Sequence, residues 1–329
     1  MSRIVRFHRT GGPDVLQIDT VDVPAPGPGE VQLRVKAIGI NRAEVMYRSG
    51  EYTFQPRFPA ALGYEAAGVV AAVGPDVTAF SAGDAVSVVP AFSFADYGMY
   101  GDVVNVPAHA LVRHPQNLSF EEAAATWMMF VTAWGALLEL GGLARGDAVL
   151  IGAASSSVGL AAIQVANRVG AVPIALTRSD AKRQALLDAG AAHVIAGSPA
   201  DLPQQVAELT GGTGARIAFD PVGGPDAANL LRALGPHGTF FQYGALDTRD
   251  LPVPVMDLLS RHLTLRGYEL FEITGDAQRL ERAKRFIVDG LAAGALKPSI
   301  DRTFAFDDIA DAHRYMEAGA QVGKIVVTV

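Results

Sequence analysis

The sequence predicts a two-domain α/β chain in which an irregular β domain precedes a doubly wound parallel sheet. The prediction rests on three observations. From Gly146 onward, short apolar runs alternate with amphipathic ones, as strands and helices do in a parallel sheet. The N-terminal third is instead punctuated by Gly and Pro around short β-type runs. At the start of the strand–helix region, AVLIGAASSSVGLAAIQVANRVGA at 148–171 sets an apolar strand, a turn of tiny residues and an amphipathic helix in immediate succession.

Taken in chain order, residues 31–37, 67–73 and 85–89 are expected strands of the β domain. Pro24-Ala-Pro-Gly-Pro-Gly29 is a stiff, turn-rich link. The uncharged run 123–138 is too short to span a bilayer and contains Thr126 and Thr132, so it reads as a buried helix. The next strands are expected at 148–152, 172–177, 193–197, 216–222, 239–244 and 263–268, with helices at 159–169, 181–189, 201–209, 225–234 and 255–261. Pro173 conflicts with a strand interior but is tolerated near a strand's first residue. Helical patterns at 275–293 and 307–318 and a terminal strand at 324–329 close the chain. That tail is too small for a domain of its own. It is expected to return to the β domain, giving boundaries of 1–122 and 269–329 for the β domain and 123–268 for the parallel sheet, with a cleft between the two.

The turn at 152–159 has the chemistry of a pyrophosphate site. A helix N-terminus offers unpaired N–H groups and a positive dipole, and phosphate oxygens reach them only where side chains are small. Gly152, Ala153, Ser156 and Gly159 meet that demand, and Ser155, Ser157 and Val158 of the same segment are counted with them as cofactor-binding residues. The spacing departs from G-x-G-x-x-G, reading Ala153-x-x-Ser156-x-x-Gly159, and a small-residue turn is also an ordinary packing device. After the next strand comes Thr177-Arg-Ser-Asp-Ala-Lys-Arg183. An NAD site usually places an acidic residue there to accept from the ribose hydroxyls, whereas a 2′-phosphate needs cations and hydroxyls. Arg178, Ser179 and Lys182 favour NADPH; Asp180 is open to an N-cap or a ribose contact.

Composition excludes several classes. A chain of 329 residues with 50% hydrophobic and 19% charged residues can bury a large core, and a net charge of −7 argues against nucleic acid as a partner. With no cysteine, there is no disulfide, thiolate nucleophile, iron–sulfur cluster or Cys-ligated zinc. The seven histidines are scattered, with no pair spaced to place two ligands on one helix face. The start, MSRIVRFHRTGG, lacks an apolar signal core, so a cytoplasmic address and no membrane role are expected.

Further segments carry a resemblance: Gly39-Ile-Asn-Arg-Ala-Glu-Val-Met-Tyr-Arg-Ser-Gly-Glu-Tyr52, Pro59-Ala-Ala-Leu-Gly-Tyr-Glu-Ala-Ala-Gly-Val69, Gly83-Asp-Ala-Val86, Thr132-Ala-Trp-Gly-Ala-Leu137, Asp220-Pro-Val-Gly-Gly224 and Gly323-Lys-Ile-Val-Val327. With the 152–159 turn, they resemble in this order the medium-chain dehydrogenase/reductase superfamily, and within it the zinc-independent quinone oxidoreductase group. The resemblance covers essentially the whole chain. It implies an α/β fold made of a GroES-like β domain, completed by the C-terminal tail, and a Rossmann doubly wound parallel sheet.

Zinc-using relatives bind the metal at positions that here resemble Asn41, Tyr64 and approximately Met128, none of them a normal zinc ligand, so no metal is expected. Glu65 then reads as a buried hydrogen-bonding or ion-pairing structural residue, with a direct catalytic role as the alternative. The resemblance implies NADPH-dependent hydride transfer to quinones or α,β-unsaturated carbonyls, the protein mainly positioning ring and acceptor. An alcohol dehydrogenase of the same superfamily, or an NADPH-binding protein without turnover, are the alternatives. Asn41 is expected to offer amide donors to the nicotinamide or acceptor carbonyl, with Tyr52 and Tyr64 as further site residues or core packing. Thr132 and Gly244 join the cofactor contacts, and Glu44 stands where many relatives carry Asp. Tyr47, Phe54, Phe92, Phe94, Tyr97 and Tyr268 are open to lining an apolar pocket or filling a core. A homodimer through edge strands, 239–244 and 263–268 being candidates, is also implied.

Overall fold

Alternating apolar positions in the N-terminal third and a long run of strand–helix repeats after it settle into separate sheets. The computed structural model describes residues 1–197 and 199–329. Its strands are β1 (Ser2–Phe7), β2 (Leu16–Val21), β3 (Glu30–Gly39), β4 (Ala60–Ala61), β5 (Glu65–Val73), β6 (Ala85–Val88), β7 (Val103–Pro107), β8 (Leu111–Val112), β9 (Ala148–Ile151), β10 (Val172–Thr177), β11 (His193–Ala196), β12 (Ala215–Asp220), β13 (Leu234–Gln242), β14 (Thr264–Gly267), β15 (Ile300–Ala305) and β16 (Lys324–Thr328). The chain divides into two compact units, Met1–Met128 with Lys297–Val329, and Met129–Leu296.

The first unit holds a small sheet, β2-β1-β4, and a larger one ordered β15-β16-β3-β5-β6-β8 with β7 also paired to β3. In β3, Val31, Leu33, Val35 and Ala37 alternate inward and are buried, the period-2 pattern of a sheet with one covered face. Register sets the neighbours at the end of this strand: Gly39 pairs with Glu65 of β5 on one side and with Val326 of β16 on the other. Chain ends far apart in sequence therefore meet beside the start of helix Arg42–Ser49. Gly39 is required there, because a Cβ would lie 2.2 Å from the Ala124 carbonyl oxygen and 2.9 Å from Glu65 Oε1. Helix Phe120–Ala124 begins at Ser119, whose hydroxyl accepts the Glu122 N–H at 3.2 Å.

In the second unit a parallel sheet runs β11-β10-β9-β12-β13-β14. The order reverses between β9 and β12, which leaves a crevice at the carboxyl ends of the strands where such sheets take ligands. One core face packs Leu150, Ile174, Ala218 and Phe240 of the sheet against Val206, Leu230 and Leu231 of the helices. Each large apolar side chain of this kind contributes about 1.5–3 kcal/mol on burial. Pro173 is the second residue of β10, close to the tolerated strand start.

Several expectations need correction. The run 123–138 is interrupted: helix Phe120–Ala124 stops, Trp127–Trp134 begins a new helix, and Gly135–Leu140 widens into a π-type turn. Residues 239–244 do not form an edge, because β13 hydrogen-bonds β12 on one side and β14 on the other. Only β14 of that pair is an edge strand. Helix Ala277–Ala292 lies in the unit of the parallel sheet, not with the first unit as the sequence pattern assigned it. Its Phe286 carbonyl accepts from Arg168 of helix Ser157–Val169, whose guanidinium lies 4.0 Å from the Phe286 ring centroid. No helix among the described residues is long and apolar enough to cross a membrane.

Candidate functional site

In the second unit the phosphate-type turn is built as its residues demand. Strand β9 ends at Ile151, the chain turns through 152–155, and Ser156 caps helix Ser157–Val169 by accepting the Gly159 N–H at 3.1 Å. The N–H groups of Ser157 and Val158 have no acceptor among the described residues, as befits the first turn of a helix. Ala153 holds φ +44°, an uncommon conformation for a side-chain-bearing residue. Gly152 fits for a steric reason: a Cβ there would lie 2.0 Å from Asp220 Oδ1 at the end of β12. Asp220 is itself buried and accepts the N–H groups of Val222 at 3.2 Å and Gly223 at 2.7 Å. Burial pushes its carboxyl up to about 6, with those two N–H bonds working the other way.

The sequence at the end of β10 also comes to this turn. The Lys182 ammonium donates to Ser155 Oγ at 3.2 Å, which places a cation on the small-residue loop. Arg178 and Ser179 follow β10 directly and are exposed. Asp180 neither caps a helix nor stands free: it pairs with Arg183 at 2.7 Å. Gly244 closes against Pro221, whose carbonyl oxygen would lie 2.9 Å from a Cβ. Thr132 is buried within helix Trp127–Trp134. The donor set fits a dinucleotide phosphate: free N–H groups at a helix start, hydroxyls, and cations at the neighbouring strand end.

The first unit holds the other predicted residues, organised around buried charge. Glu65 is fully buried; its Oε2 accepts the N–H groups of Trp127 at 3.0 Å and Met128 at 2.9 Å, at the start of that helix. Its Oε1 accepts from Asn41 Nδ2 at 3.1 Å and forms an ion pair with the buried Lys324. Lys324 Nζ also donates to Asn41 Oδ1 at 2.5 Å. Glu44, one turn into helix Arg42–Ser49, accepts the Asn41 N–H through Oε2, and through Oε1 the Tyr64 N–H at 3.2 Å and Asn41 Nδ2 at 3.3 Å. Desolvation pushes the Glu44 carboxyl up to about 7, against Lys324 and the Asn41 hydrogen bonds.

This geometry corrects the role expected of Asn41. Its Nδ2 is already spent on Glu44, Glu65 and the Gly39 carbonyl at 3.1 Å, and its oxygen on Lys324. No amide donor is left to offer an acceptor. Tyr52 and Tyr64 are brought together, hydroxyl to hydroxyl, at 3.3 Å. Tyr64 stacks on Phe94 with centroids 3.6 Å apart, and Phe94 on Tyr47 at 4.9 Å. Tyr47, Phe92 and Phe94 are buried, so these rings are core, and Tyr97 is tied to Glu30 at 2.8 Å. In the second unit, Tyr268 meets Phe241 edge to face.

Sequence reasoning missed the deeper partners. Arg48 is buried with its guanidinium on His313 Nδ1 at 3.1 Å and Glu317 Oε1 at 2.7 Å, and His313 Nε2 lies 3.3 Å from the Tyr100 hydroxyl. For Lys324 and Asp220 there was a signal, a charge set at the start or the end of an apolar strand.

A mostly antiparallel β unit completed by the C-terminal strand, and a parallel sheet with a phosphate-type turn at its order reversal, define the two-unit α/β architecture of the medium-chain dehydrogenases/reductases. Residues 27–116 match the family described as alcohol dehydrogenase GroES-like domain, and residues 157–287 the one described as zinc-binding dehydrogenase. The chain is 33% identical to the rat synaptic vesicle membrane protein VAT-1 homolog, over 92% of this chain and 78% of the relative. It is 30% identical to a 2-haloacrylate reductase of Burkholderia (98% and 97% covered) and 32% identical to a quinone oxidoreductase of Salmonella typhimurium (98% of each). The crystal structure of Escherichia coli quinone oxidoreductase complexed with NADPH aligns with a TM-score of 0.91 at 30% identity, covering 100% of both chains. The chain belongs to the medium-chain dehydrogenase/reductase superfamily, in its quinone oxidoreductase-like group. It is thus a member of an oxidoreductase family.

Proposed function

We propose that this protein binds NADPH and reduces a quinone or an α,β-unsaturated carbonyl compound without a metal ion. The observation that carries the reading is the Lys182 ammonium on Ser155, beside a helix start whose Ser157 and Val158 N–H groups have no partner among the described residues. On this reading the N–H groups of Ser157 and Val158 hold the pyrophosphate, while Arg178, Ser179 and Lys182 hold the 2′-phosphate. Asp180 is neutralised by Arg183, so it does not oppose that phosphate. Thr132 and Gly244 complete the cofactor contacts. Bound NADPH supplies a hydride.

The acceptor is oriented by the Tyr52 and Tyr64 hydroxyls, either of which can hold the proton of their shared hydrogen bond. Asn41 serves by fixing Glu44, Glu65 and Lys324. The positions that bind zinc in relatives carry an amide and a phenol, and the ammonium of Lys324 already occupies the cationic place between Asn41 and Glu65. Support for a reduced acceptor comes from the relatives named as a quinone oxidoreductase and a 2-haloacrylate reductase. A homodimer through the β14 edge fits the exposed Val255, Met256 and Leu259 of the helix preceding it, an apolar face for a second copy.

The test is NADPH oxidation with a panel of quinones and enones against simple alcohols oxidised with NADP⁺. Turnover with the first group supports the reading. Cofactor binding with no consumption, or faster alcohol oxidation, overturns it.

A further inference from the structure

Strand β13 ends at Gln242, and Tyr243 follows it at the carboxyl edge of the parallel sheet, where such sheets take ligands. Its place there is fixed twice over. The Tyr243 N–H donates to the Asp220 carbonyl at 3.0 Å, and its ring stacks on Phe219 with centroids 3.9 Å apart and planes 17° from parallel. Phe219 is fully buried, and its carbonyl accepts the Gly152 N–H at 2.9 Å, the bond with which the small-residue turn opens. The phenol is thereby held at the level of that turn. Its oxygen is buried, yet it meets no hydrogen-bond partner among the described residues. Asp220 turns Oδ2 to the Val222 and Gly223 N–H groups, and Ser156 Oγ accepts from Gly159. Burial, and then the Asp220 charge, push the phenol well above its ordinary pKa, the neighbouring Ser156 hydroxyl working the other way. The hydroxyl therefore keeps its hydrogen. It is a donor beside the cap of helix Ser157–Val169 with nothing in the protein to donate to.

We propose that Tyr243 is a further cofactor-binding residue, its hydroxyl donating to the pyrophosphate of NADPH together with the Ser157 and Val158 N–H groups. A buried hydroxyl without a partner destabilises the free protein, and a phenylalanine would stack on Phe219 just as well without it. What the oxygen gives in return comes from something bound. A phosphate oxygen is the acceptor that the protein withholds, and a hydrogen bond to an anion is about twice as strong as one between neutral groups. The inference rests on NADPH binding at the 152–159 turn as proposed above, and extends that site from the helix start to the end of β13.

Tyr243→Phe keeps the stacked ring and removes only the oxygen, and two measurements on the full chain separate a cofactor contact from a structural one. In the free protein the variant unfolds at the same urea concentration as the wild type or at a higher one, because no bond within the protein is lost. Its NADPH dissociation constant, from fluorescence titration, rises about tenfold. The dissociation constant of adenosine 2′-phosphate, measured by competition, stays the same, since this probe carries the 2′-phosphate and no pyrophosphate. A free protein that loses stability along with NADPH affinity overturns the proposal, because the hydroxyl then serves the fold. An equal loss of affinity for adenosine 2′-phosphate also overturns it, because the turn itself has then changed. A wild type that binds no NADPH overturns the functional reading and this inference with it, whereas a wild type that binds NADPH no better than Tyr243→Phe does overturns this inference alone.

Discussion

Lys324→Met removes the ammonium from the most deeply buried ion pair among the described residues. Lys324 and Glu65 are 1% and 0% exposed, so no water replaces the lost partner. Glu65 keeps its bonds from the Trp127 and Met128 N–H groups and from Asn41, but its charge is left facing Glu44 with no cation in contact. Breaking a buried pair from one side costs about 3–5 kcal/mol. In a chain of this size that lowers the melting temperature by on the order of 10 °C. Thermal unfolding followed by circular dichroism and calorimetry measures it. The double variant Glu65→Gln/Lys324→Met is the control: a Gln oxygen still accepts from Trp127 and Met128, and no charge is stranded, so at least half of the loss returns. A single variant within about 0.5 kcal/mol of the wild type, or a double variant no better than the single, would refute the assignment of this pair as the cluster's charge balance.

Other predictions concern the second unit. NADPH should bind at least about tenfold tighter than NADH, and Arg178→Ala should erode that preference, since charge-assisted phosphate bonds contribute about 1.5–3 kcal/mol each; equal affinities by cofactor fluorescence titration would remove the 2′-phosphate role. Gly152→Ala drives a methyl to 2.0 Å from Asp220 Oδ1, so the carboxylate must abandon Val222 and Gly223 or the turn must open. NADPH affinity should then fall by on the order of tenfold or more with the fold kept, and an unchanged dissociation constant would move the phosphate site elsewhere. Asp220, raised to about 6, binds more protons folded than unfolded below that value. Its charge therefore costs stability above pH ~6, and the cost fades on acidification, by on the order of 2–3 kcal/mol. Asp220→Asn should flatten the wild-type fall in stability between about pH 4 and 7; parallel curves in denaturant titrations would contradict this.

Where structure depended on local pattern, it was legible in the sequence. The 152–159 turn needs small residues in sequence order, and strands β9 to β12 were bounded by Gly and charge, so periodicity located them to within a residue or two. Strand β13 was placed too late because Gly235-Pro-His-Gly238 reads as a turn, although the strand runs through it with His237 at φ +58° and a register shift against β12. Helix Ala277–Ala292 gave its type but not its unit, since periodicity says which face is apolar and not what covers it. The buried cluster was beyond reach for the same reason. Asn41 could be singled out as a polar residue at a known motif position, but that its amide is consumed by Glu44, Glu65 and Lys324 depends on β16 pairing with β3, a contact between chain ends. Arg48 and His313, separated by 265 positions, leave no local trace of meeting.

The central claim is hydride delivery from NADPH to the conjugated carbon of an activated acceptor, with no metal to polarise a plain carbonyl. The most direct measurement is the fate of deuterium from [4-²H]NADPH, of the stereochemistry that the enzyme transfers, during reduction of 2-cyclohexenone. The account predicts deuterium at the β carbon of the saturated ketone, read by NMR, in preparations stripped of metal by chelation. Deuterium on the carbonyl carbon of an allylic alcohol, or activity that returns only with added zinc, would contradict it.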